Sequence, residues 1–106
     1  MFFVDLNSAF KMNDPRLLRL HPGDNVLTVI RALASGDTVH LEGEPVAVAA
    51  HLPIGHNIAA RAIGEGEKIV KYGAPIGSAT RAIAAGEHVH THNVKSDYLP
   101  TPTVES

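Results

Sequence analysis

A nine-residue pattern occurs three times in this chain, at Arg31–Val39, Arg61–Ile69 and Arg81–Val89. Each copy runs Arg-Ala, an aliphatic residue, two small or polar positions, then glycine, an acid and, two residues on, valine or isoleucine. Glycine reaches positive φ without the steric penalty that other residues meet, so each copy predicts a helical turn, a glycine corner and the start of a strand. The copies begin thirty and then twenty residues apart. A solenoid needs a fixed interval, so this spacing points to a compact, barrel-like domain with related corners.

The chain has 106 residues, 44% of them hydrophobic, which suits one domain with a modest core. Nine basic and eleven acidic residues leave a formal charge of −2 without a basic cluster, which speaks against nucleic acid and anionic membranes as partners. Cysteine is absent, so disulfides and thiolate zinc sites are excluded and metals would need histidine or carboxylate ligands. Met1-Phe2-Phe3-Val4 is interrupted by Asp5 and lacks a basic leader, and no later run is long enough to span a bilayer. The expected location is the cytoplasm.

Along the chain, residues 1–15 form a lead-in expected to be poorly ordered, 16–95 the domain, and 96–106 an extended tail carrying Pro100 and Pro102. A strand is expected from Arg16 to His21, ended by Pro22-Gly23. Asp24 can cap a short helix, because Val26, Leu27, Ile30 and Leu33 recur at helical spacing before Gly36. Val39–Leu41 and Pro45–His51 read as strands about a Glu42-Gly43-Glu44 turn. Lys68–Tyr72 reads as another, closed by Gly73, while Pro75-Ile76-Gly77 is too rich in glycine and proline to extend far. The fold class expected is mainly β with short helices.

The chemistry concentrates at His88-Val89-His90-Thr91-His92-Asn93. In an extended strand His88, His90 and His92 line one face, opposite Val89, Thr91 and Asn93. Three imidazoles on one surface can hold a metal, shuttle a proton or grip a carboxylate. The same pattern also fits the wet face of an edge strand that buries Val89, and both readings stay open.

Three stretches then carry a resemblance. Gly55-His56-Asn57-Ile58-Ala59, Ile69-Val70-Lys71-Tyr72-Gly73 with Pro75-Ile76-Gly77, and Ala85-Gly86-Glu87-His88-Val89-His90 running to His92-Asn93 occur in that order. Together they resemble the N-terminal SAF-type domain of the altronate and galactarate dehydratase family, which also includes sulfolactate sulfo-lyase. The resemblance runs from about Leu18 to Ser96 and implies a small β-clip domain. In some members this domain is fused ahead of a large catalytic domain; in others it is a separate small subunit.

What the resemblance implies here is the small subunit of a hydro-lyase acting on a sugar acid such as altronate or galactarate, or of a related sulfo-lyase. It would complete the site of a separate large catalytic subunit, with further copies of itself as another possible partner. The family also implies a divalent metal, Fe2+ or Mn2+, both of which accept imidazole ligands. His56 is the implied acid/base or metal-ligating residue, His90 and His92 are implied metal ligands, Asn57 is an implied substrate contact, and Lys71 and Tyr72 are candidate contacts to substrate oxygens or to the partner subunit. Asn57 stands where the family usually has lysine, so a neutral amide replaces a cation and the substrate stays open. His21, His40 and His51 belong to no constellation and read as structural. The alternative is a non-catalytic SAF-type binding or assembly module, since related domains serve in antifreeze proteins and flagellar chaperones.

Overall fold

In the computed structural model, which describes residues 14–97, each repeated pattern folds as a bridge residue followed by a tight turn. No helix occurs among the described residues, so the helical part of each expected corner is corrected while its glycine and acid are borne out. In the first corner the Asp37 N–H donates to the Ala34 carbonyl at 3.0 Å and Gly36 has φ 92°. That is a type II turn, whose third position requires positive φ. Gly66 and Gly86, each at φ 82°, repeat it through Glu67 N–H to Gly64 and Glu87 N–H to Ala84. A fourth corner joins them at Leu52-Pro53-Ile54-Gly55-His56. There Gly55 has φ 94°, the His56 N–H reaches the Pro53 carbonyl at 3.3 Å, and His56 takes the position held by an acid elsewhere.

The corners work in pairs. Leu33 bridges Leu52, and Ile63 bridges Ile83. Gly36 N–H donates to Val48 and Val48 N–H to Asp37, while Gly55 N–H donates to Val29 and Val29 N–H to His56. The second pair repeats this exchange through Gly66, Ala79 and Glu67, and through Gly86, Ala59 and Glu87. The domain is therefore two related halves, each with two corners that reciprocate.

The strands are β1 Leu17–Leu18, β2 Val26–Val29, β3 Thr38–Leu41, β4 Glu44–Ala47, β5 Asn57–Ala59, β6 Lys68–Lys71, β7 Ala74–Ala79, β8 His88–Val89 and β9 Val94–Lys95. They form three sheets, ordered β1-β2-β5-β8, β3-β4 and β6-β7-β9, and do not close a barrel. A hairpin separates the two corners of each pair. Its turn residues, Glu42-Gly43 or Tyr72-Gly73, both have positive φ, as a two-residue type I′ loop requires. In the second hairpin Ile69 pairs with Gly77 but Val70 with Pro75, so Ile76 is an extra, bulged residue. The bulge explains why Pro75 and Gly77 sit inside a six-residue strand, where the sequence predicted little extension.

The central sheet is covered on both faces. Leu17, Leu27, Val29 and Ile58 enter one core cluster with Leu33 and Val39, whereas Val26, Ala59 and Val89 enter a second with Ile63, Ile69 and Ile83. This overturns the helix expected between Asp24 and Gly36: Val26 and Leu27 are both buried because each faces a different core. Asp24 caps no helix; its carboxylate accepts the N–H groups of Tyr72 at 3.1 Å and Gly73 at 2.8 Å, fixing the tip of the β6-β7 hairpin.

The expected strand from Arg16 to His21 shortens to β1, and the run from Pro45 to His51 ends at Ala47. Most of the lead-in and the tail lies outside the described residues. At their inner ends, the Arg16 guanidinium holds the Asp14 pKa down to about 2, and Asp97 accepts bonds from Lys68 and Ser78. Among the described residues no helix is long and apolar enough to cross a membrane.

The corner geometry sets a graded prediction. Gly36→Ala and Gly66→Ala should each cost about 1 kcal/mol for positive φ alone. A Cβ on Gly86 would also come within 2.7 Å of Val46 Cγ1, so Gly86→Ala should cost more, roughly 2–3 kcal/mol. Val46→Ala should recover part of that loss, as read from urea-denaturation midpoints; equal costs at all three glycines would contradict the close approach.

Candidate functional site

β8 lies at the edge of the central sheet and pairs with β5 through Asn57↔Val89 and Ile58↔His88. Directly opposed residues of an antiparallel pair share a face, so His88 lies on the Ile58 face, and His56, two residues before Ile58, joins it. The rings meet there: His56 Nδ1 and His88 Nε2 are 3.0 Å apart, with centroids 5.0 Å apart.

Beyond Val89 the chain leaves the sheet, which corrects the expectation of one extended histidine face. Asn93, fully buried, folds the segment back. Its Oδ1 accepts the His90 N–H at 2.9 Å, its Nδ2 donates to the His88 carbonyl at 2.8 Å, and its own carbonyl accepts the Thr80 N–H at 2.9 Å. The turn gathers the rings that strand alternation does not. His90 stacks 5.5 Å from His88 and 6.2 Å from His56, and His92 lies 5.4 Å from His88. Val89 is buried, as the edge-strand reading expects.

His88 is the middle of this cluster. Burial, then the nearby charges possible on His56, His92 and His90, push its pKa below the ordinary imidazole value. It is therefore predominantly neutral at pH 7. A neutral pair in contact carries one proton between the two facing nitrogens, so one ring donates and the other accepts. His90 Nδ1 in turn lies 3.1 Å from Thr91 Oγ1. Nearby, Arg81 and the Ala84 N–H hold the Glu87 carboxyl below its usual range. Such a row of imidazoles can take up, pass on or return a proton beside an anionic group. Among the described residues no three His, Asp or Glu side chains are set to hold a metal ion.

The other expected contacts lie apart. Asn57 points from β5 to the face opposite His56 and accepts a bond from Thr28 Oγ1 at 3.1 Å. Lys71 and Tyr72 sit at the tip of the β6-β7 hairpin, with the ring exposed and the ammonium 5.8 Å from its centroid. His21 is engaged locally, its Nδ1 accepting the Gly23 N–H at 3.0 Å, and His40 is exposed beside Asp14. Sequence reasoning gave His88 no role beyond its place in the row, and gave Asn93 none. The available signal for Asn93 was its position three residues after His90, from which an Asn side chain can bond back to the backbone N–H at the start of the turn.

A family model described as the altronate/galactarate dehydratase SAF domain matches residues 15–97. Over 80 residues the chain is 41% identical to an altronate dehydratase of Bacillus subtilis (strain 168) and 38% identical to one of Escherichia coli (strain K12). Each match covers 76% of this chain and 16% of the longer relative. It is also 49% identical over 45 residues to a (2R)-sulfolactate sulfo-lyase subunit alpha of Chromohalobacter salexigens, covering 42% of this chain and 48% of that one. The chain thus spans well under two thirds of these relatives.

Removing the clasp should separate site from scaffold. Asn93→Ala should cost about 2–3 kcal/mol, since it strips a buried two-way hydrogen bond, whereas His90→Ala and His92→Ala should stay within about 0.5 kcal/mol of the parent. Thermal or urea unfolding of the three variants checks this; an Asn93→Ala chain as stable as the parent would contradict the role given to Asn93.

Proposed function

Because the chain belongs to the altronate/galactarate dehydratase SAF domain family, we propose that it is the small subunit of a hydro-lyase acting on a sugar acid such as altronate or galactarate. The observation that carries this reading is the His56–His88 contact at 3.0 Å, flanked by His90 and His92 at an exposed sheet edge. The relatives support the arrangement in two ways. The altronate dehydratases are several times longer than the matched segment, which leaves room in them for a catalytic portion outside it. The relatives named as sulfo-lyase subunits are short, since 47 matched residues make up 70% of that of Paracoccus pantotrophus. In this reading the large catalytic partner is a separate chain, and the pair works in the cytoplasm.

Dehydration of a polyhydroxy acid removes a proton beside a carboxylate and expels hydroxide from the next carbon. His56, in contact with His88, is placed to accept or deliver that proton, with the neutral His88 ring fixing its tautomer. The developing enediolate needs donors, and imidazole N–H groups of the flanking rings can supply them. Asn57, in place of a cation, leaves the identity of the acid to the partner, and Lys71 and Tyr72 at the hairpin tip are substrate or partner contacts.

A divalent iron or manganese ion is part of the same proposal. The imidazoles of His90 and His92 fit such an ion in kind, and the described residues fall short in number, so its remaining ligands belong to the partner. When bound, it would act as a Lewis acid on a substrate oxygen.

Reconstitution tests the proposal. The purified chain should turn over no sugar acid alone and should confer dehydratase activity when mixed with its large subunit. His56→Ala should fold and assemble yet lower kcat at least about 100-fold, the usual loss when an acid/base group is removed. Turnover by the chain alone, or a His56→Ala complex with full activity, would overturn the assignment; the second result would leave an assembly module.

A further inference from the structure

The four corners invite a comparison position by position. In three of them the acid at the fourth position of the turn accepts the backbone N–H of the first. Asp37 Oδ2 accepts from Ala34 at 2.9 Å, Glu67 Oε1 from Gly64 at 2.9 Å, and Glu87 Oε1 from Ala84 at 3.0 Å. Each acid also meets an arginine. Arg61 binds Glu67, Arg81 binds Glu87, and Arg16 approaches Asp37 at 3.7 Å. The side chain at this position is thereby consumed by the scaffold.

The fourth corner lacks both partners. Its first residue is Pro53, which has no N–H to donate, and Ala50 stands where Arg61 and Arg81, the partners of Glu67 and Glu87, begin their copies. His56 occupies the acid's position with nothing local to bind. Its ring turns outward to His88, and its Nδ1, the atom equivalent to an aspartate Oδ, is the one that makes the 3.0 Å contact. An imidazole in this chain does accept a nearby amide when one is offered, as His21 Nδ1 does from Gly23 at 3.0 Å.

We propose that Pro53 is a positioning residue: by withholding the turn N–H that ties down the equivalent side chain in the other corners, it leaves His56 Nδ1 to pair with His88. An amide at position 53 would compete for the same nitrogen. The proposal takes from the preceding section only that His56 is a site residue, and its test needs neither a partner nor substrate.

The test is imidazole NMR on the full chain with labelled histidines, above the imidazole pKa range so that the rings are neutral. The parent should show nitrogen–nitrogen coupling between His56 Nδ1 and His88 Nε2. In Pro53→Ala that coupling should vanish, and the amide newly present at position 53 should be protected from exchange by His56. Persistence of the coupling beside an unprotected amide at that position would overturn the proposal.

A double-mutant cycle keeps the question decidable should Pro53→Ala prove too unstable for NMR. In a His56→Asp background, adding Pro53→Ala should raise the thermal midpoint, because the aspartate regains the donor its counterparts have. The same substitution beside His56 should not raise it. Equal shifts in both backgrounds would also overturn the proposal. A chain that confers no lyase activity on any partner would leave all these signals unchanged, so the two readings fail separately.

Discussion

The structure depends on a reciprocal exchange of backbone hydrogen bonds between a type II turn and the strand end facing it. Gly36 with Val48 and Gly55 with Val29 form one such pair, Gly66 with Ala79 and Gly86 with Ala59 the other. Each exchange needs a residue at positive φ, and glycine takes that conformation at no steric cost. Each corner satisfies the strand that leads into its mate, so the two halves of a pair support one another. The paired corners place β2, β5 and β8 side by side, and both faces of that sheet are sealed by aliphatic side chains.

The candidate site grows from the same frame at the two points where the frame is least repetitive. One is the corner that carries His56 in the acid's place. The other is the edge strand β8, which has only two residues before the chain turns off. Asn93 closes that turn from a fully buried position, so the exposed histidines rest on a rigid support. Crowding four imidazoles here has an electrostatic consequence. Protonating one opposes protonating the next, and His88, half-buried in their midst, is held in the neutral form in which it can both donate and accept.

The sequence made the corners legible because glycine and an acid recur at fixed positions, and it made the hairpin at Glu42-Gly43 legible for the same stereochemical reason. It misled at Val26–Val29. A strand buried on both faces has no alternation, and its run of apolar residues mimics helical spacing. It hid the fourth corner because Pro53 and His56 replace the residues that mark the other three. It underestimated β7 because a bulge at Ile76 is not encoded by composition. Within the site, the histidines were visible as a group, but their gathering was assigned to strand alternation when a side chain, Asn93, produces it. The contact between His56 and His88, 32 residues apart, arises from the β5-β8 register and had no local signal.

The matched relatives place this domain beside dehydratase and sulfo-lyase chemistry, and the family name itself pairs the SAF domain with sugar-acid dehydration. On the proposed reading, the imidazole cluster completes a site belonging to another chain. A cryo-EM or crystal structure of the chain with its large subunit and a bound sugar-acid analogue tests it most directly. His56 should lie within hydrogen-bonding reach of the analogue, with His90 and His92 turned toward the partner. A complex in which the cluster faces solvent, remote from the analogue, would contradict it.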